Sequence, residues 1–93
     1  MDLIVEQAIS EIKELADKVP QGKHIVTGDI RKLSARLYKV IYDKPITNVL
    51  SLCEELLECH NWGLGVIAFD WAYRVRRQYS EATYDTFFFW LIW

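Results

Sequence analysis

Apolar residues recur at steps of three and four along most of this chain, the period of helices that bury one face. Between residues 2 and 19 the stripe is Val5, Ala8, Ile9, Ile12, Leu15, Ala16 and Val19, and Pro20 and Gly22 end it. Residues 20–28 read as a loop. A second helix starts near Thr27–Asp29, which offer capping side chains, and carries Ile30, Leu33, Leu37, Val40 and Ile41. Asp43-Lys44-Pro45 closes it. A third helix runs from about Pro45–Thr47 to about Glu58, with Val49, Leu50, Leu52, Cys53, Leu56 and Leu57 inward and Glu54, Glu55 and Glu58 left to solvent. Cys59-His60-Asn61 is the next turn, and Asn61 suits the N-cap of a fourth helix over about residues 62–77. Its inward positions are Leu64, Ile67, Ala68, Trp71, Ala72 and Val75. Ser80 and Glu81 open a fifth helix. Residues 86–93 also have the look of a buried strand, but they follow directly on that helix start. The pattern predicts an all-α fold of about five helices.

Self-similarity refines the architecture. A displacement of 35 residues sets Leu33 on Ala68, Leu37 on Ala72, Tyr38 on Tyr73, Lys39 on Arg74 and Val40 on Val75. In the following helix it sets Leu52 on Phe87, Cys53 on Phe88 and Leu56 on Leu91. A period of that length is expected of antiparallel helix pairs stacked as an α-solenoid, with residues 29–58 as one pair and 62–93 as the next. From Thr86 to Trp93 there is no charged residue. A terminal repeat needs a polar outer face, so the chain is expected to be the N-terminal part of a longer protein, or else to bury residues 84–93 against a second copy.

Composition narrows the classes. Ninety-three residues make one small domain, and 52% hydrophobic with 26% charged residues excludes a disordered tail. The net charge is −2, but it is unevenly spread. Residues 1–19 carry five acids against two lysines, and residues 23–44 carry six bases against two acids. Residues 45–60 are acidic again and 61–79 basic, so basic and acidic faces are expected. Cys53 and Cys59 are six apart, on different sides of a helix, which argues against a mutual disulfide. The N-terminus lacks the pattern of a secretory signal, and no apolar run approaches the ~20 residues of a bilayer span. A reducing cytoplasm and no membrane partner are expected.

Candidate chemistry is sparse. Cys53, Cys59, His60 and His24 do not have the paired short spacings of a zinc site, so no metal and no cofactor is expected. Gly63-Leu64-Gly65 lacks the rest of a dinucleotide fingerprint. No Ser or Cys nucleophile stands at a recognisable motif spacing from a His. Asp70 beside Trp71 looks like a carboxylate–aromatic pair. Neighbours on a helix point about 100° apart, however, and Arg74 lies at i+4, so an Asp70–Arg74 ion pair is the expected role. Two basic groups remain: Arg74, Arg76 and Arg77 at the end of the fourth helix, and the stripe Lys32, Arg36 and Lys39 on the second.

The stretches from Gly28 to Lys39 and from Leu50 to Glu58, with Ala68-Phe-Asp-Trp-Ala-Tyr-Arg74, resemble the DNA alkylation repair family, HEAT-like-repeat glycosylases that remove positively charged N-alkylated purines. The resemblance spans about residues 25–93. It implies HEAT-like helix pairs, no cofactor, and a basic concave groove that holds duplex DNA by its backbone. Arg74, Arg76, Arg77, Lys32, Arg36 and Lys39 would then be phosphate contacts; otherwise they are solvated helix faces and a helix C-terminal charge cluster. The family's aromatic and Asp residues, which stabilise oxocarbenium charge, lie in later repeats and would fall beyond Trp93, so no catalytic residue is carried over. The 93-residue chain alone is expected to be inactive. The alternative is a non-enzymatic helical scaffold for protein partners.

Overall fold

The computed structural model describes residues 2–76, which form four helices: α1 (Leu3–Lys18), α2 (Thr27–Ile41), α3 (Ile46–Glu58) and α4 (Trp62–Arg76). There is no strand among the described residues, and none of their helices is long and apolar enough to cross a membrane. The expected fifth helix from Ser80 and the expected self-contact through residues 84–93 lie outside them.

Local chemistry sets the helix ends. Asp2 caps α1, its carboxylate accepting the Ile4 N–H at 3.1 Å. After α1 the Lys23 N–H returns to the Pro20 carbonyl at 3.0 Å, and Gly22, at φ 85°, takes the left-handed place in that turn. α2 departs from expectation. Its N-cap is Val26, in extended conformation and with no side-chain cap bond, and Thr27 is already helical. The Val26 carbonyl takes the N–H groups of Asp29 and Ile30 instead, and Asp29 supplies negative charge to the first turn. α3 follows Pro45, which sits at its N-cap without a side-chain bond. Asn61 caps α4 as expected, its Oδ1 accepting the Leu64 N–H at 3.2 Å. Between α3 and α4, His60 adopts φ 51°, the left-handed C-terminal cap usually given to glycine.

α4 is the centre of the fold. Leu64, Ile67, Ala68, Trp71, Ala72 and Val75 are all buried, Trp71 completely. These positions go far enough round the helix for α4 to pack against α1, α2 and α3 at once. Its largest contact is with α3, to which the three residues 59–61 join it, and its next is with α2. α2 and α3, although consecutive, barely meet, so the closest helix pair is α3–α4 and not the 29–58 pair expected from the repeat. Gly63 lets the start of α4 approach α1: a Cβ there would lie 3.1 Å from Ile12 Cδ1.

The core of α2 also differs in one place. Its buried stripe is Ile30, Leu33, Ser34, Leu37 and Ile41. Ser34 takes a place the hydrophobic pattern assigns to no one, while Val40, about 80° from the stripe's centre at 100° per residue, is 62% exposed.

Candidate nucleic-acid interface

α2 and α4 are joined by a short polar chain set in an apolar contact. The Ser34 hydroxyl donates to Asp70 Oδ2 at 2.5 Å, and Arg74 Nε donates to the same oxygen at 3.0 Å. The Trp71 indole N–H donates to the Ser34 carbonyl at 3.1 Å. Ser34 is completely buried, and the Asp70 side chain is about one-fifth exposed. The Arg74 guanidinium also lies over the Tyr38 ring, 5.7 Å from its centroid, in cation–π contact. The Asp70–Arg74 pair is the one expected from the i+4 spacing. Ser34 was not foreseen; its sequence signal is a lone polar residue in line with Ile30, Leu37 and Ile41. With the hydroxyl and guanidinium both on its Oδ2, the Asp70 carboxylate ties α2 to α4.

Around this lock, α4 and α2 border an open groove of about 910 Å3. Arg31 and Arg74 line it, together with Trp62, Phe69 and Tyr73. Arg31, absent from the expected cation set, comes in because it points about 100° away from Lys32, toward α4. A second open groove of about 450 Å3 lies between α1, the loop after it and the start of α4, with Lys13, Lys23 and His24 at its edge. Trp62 lines both and is 60% exposed.

The six expected cations are not brought together. Arg36 is ion-paired with Glu11 of α1, which also accepts from Gln7. Lys32 lines the same α1–α2 seam, where Glu11, Glu14 and Asp29 face Lys18, Lys32 and Arg36. Lys39 is exposed on the far side of α2 from the core. Arg74 is in the Asp70 lock. Arg76 is the last residue of α4, and Arg77 lies outside the described residues.

The titrations of Cys53 and Tyr38 are shifted. Burial, with the Glu54 charge adding to it, pushes the Cys53 thiol well above its usual range, so this cysteine behaves as a small core residue. Burial also raises the Tyr38 phenol; Cys53 and Asp70 add to the shift, and Arg74 opposes it. The Tyr38 hydroxyl is buried with no hydrogen-bond partner. Among the described residues no three His, Cys, Asp or Glu side chains gather as a metal site would need.

No protein-family model, curated protein or solved structure matches the chain.

Proposed function

We propose that this chain is the N-terminal portion of a DNA alkylation repair glycosylase with HEAT-like helix pairs, acting in the cytoplasm on duplex DNA carrying cationic N-alkylated purines. The observation that carries this reading is the Ser34–Asp70–Arg74 lock. Two of the segments that carry the resemblance, 28–39 and 68–74, meet through it. The open groove, with Arg31 lining it beside the Asp70–Arg74 pair, gives a polyanion a place to lie.

On this reading the described residues grip DNA and do not perform the excision. A cationic alkylpurine is already a good leaving group, and the protein must hold a carboxylate against the oxocarbenium charge at the sugar. Asp70, the one acid in the aromatic groove, is occupied by Ser34 and Arg74. The test is release of 7-methylguanine or 3-methyladenine from alkylated duplex DNA. The 93-residue chain is expected to leave the spontaneous rate unchanged, and a protein extended by whatever its gene encodes after Trp93 is expected to exceed it. Release by neither favours the second reading, a helical scaffold for protein partners, which the exposed Val40 and Tyr42 support.

A further inference from the structure

We propose that nucleic acid lies along the face centred on Trp62, its phosphates on Arg31 to one side and on Lys13 and Lys23 to the other, with an unpaired base stacked on the indole. This rests on the DNA reading above and names the surface and the contact that reading would use.

Three observations lead there. The two grooves share Trp62 as a common wall, so they form one path from α2 across α4 to α1 and its following loop. Beyond the Asp70–Arg74 pair, the charged side chains along that path are cations, Arg31 on one side and Lys13 and Lys23 on the other, and no further acid lines either groove. The α1–α2 seam is the opposite case, since there Glu11, Glu14 and Asp29 meet the cations, Lys32 and Arg36 among them. A phosphate chain entering that seam would meet three carboxylates; along the Trp62 path it meets cations.

The third observation is the exposed indole itself. Trp62 is the first residue of α4, 60% exposed, with cationic side chains on either side. An aromatic ring between phosphate-binding cations is the arrangement on which single strands lie, because every base has a face to stack. An acidic protein segment would be served by the cations alone and would leave the indole without a role. A fully paired duplex hides its base faces, so stacking needs a strand that is single, frayed or interrupted.

The test is fluorescence anisotropy with the full 93-residue chain, using a labelled 15-nucleotide single strand, its duplex, and a duplex with one unpaired base. Trp62→Ala is expected to weaken the single strand and the interrupted duplex roughly 10-fold or more, with Trp62→Phe largely restoring them. It should change the perfect duplex much less. Arg31→Ala with Lys23→Ala should weaken all three and lower the salt slope by about one to two. Lys32→Ala with Lys39→Ala, on the other side of α2, should leave binding near the parent's. All exchanged side chains are exposed, and helical circular dichroism checks that each variant folds. Parent-like binding by Trp62→Ala, with binding lost in the Lys32/Lys39 variant, overturns this inference and leaves the DNA reading standing. Equal binding of polyglutamate, insensitive to Trp62, overturns it in favour of an acidic protein partner. No binding of any DNA overturns the inference and the DNA reading together.

Discussion

The Ser34 hydroxyl is where a single atom decides most. It sits in an apolar contact with one partner, the Asp70 carboxylate, and its loss leaves that carboxylate with Arg74 alone of the two donors on its Oδ2. Ser34→Ala is expected to cost about 1–3 kcal/mol in urea unfolding. Asp70→Asn should cost a similar amount, and the double variant clearly less than the sum, because the two remove one interaction. Additive costs would show that the contact does not form. Tyr38 behaves differently. Its hydroxyl has no partner, so Tyr38→Phe is expected to be neutral or slightly stabilising near pH 7. Its folded phenol titrates above the ordinary value of 10.0. Its contribution is therefore whole below pH 10 and lost as pH rises through the folded-state value. Parent stability should fall more steeply above pH 10 than that of Tyr38→Phe, and parallel curves would place the ring in solvent. His60, at φ 51°, is a third case: His60→Gly is expected to raise stability by roughly 1 kcal/mol, read as a higher thermal midpoint.

Among the elements, α4 bears the fold because three helices rest on it. The small Ala68 and Ala72 are both fully buried. Ala72→Leu is expected to cost about 1–3 kcal/mol by overpacking, and Trp71→Ala about 3–5 kcal/mol by leaving a cavity. A cost below 1 kcal/mol for both would mean that α4 lies at the surface. Each of the four helices was legible from its period, with ends close to those observed, because each buries at least four side chains at helical spacing. The Asn61 cap and the Asp70–Arg74 pair were legible too, since both join residues within four of each other. What stayed hidden joins residues far apart in the chain. Ser34 and Asp70 are 36 apart, and no local pattern says which helix α2 will meet. The Val26 start of α2 was masked by better capping residues one and three places later, which lie inside the helix. Arg31 stands outside the i, i+4, i+7 row of Lys32, Arg36 and Lys39, and only its angle on the helix turns it toward α4.

At the scale of the whole molecule, the sequence blocks of alternating charge become two kinds of surface. Across α1 and α2 opposite charges face each other and cancel, as in the Arg36–Glu11 pair. Around Trp62 the one acid lining the grooves, Asp70, is paired with Arg74, and the other charges are cations. On the DNA reading, a chain of net charge −2 would hold a polyanion only where its acids are segregated from its cations. The proposed function depends most directly on whether the chain holds duplex DNA at all. The deciding measurement is the duplex binding constant of the 93-residue chain between 20 and 200 mM salt. The expected result is weak binding without sequence preference, falling linearly in a log–log plot with a slope of about −2 to −4, as a few phosphate contacts require. No binding at 20 mM salt, or binding indifferent to salt, would contradict it.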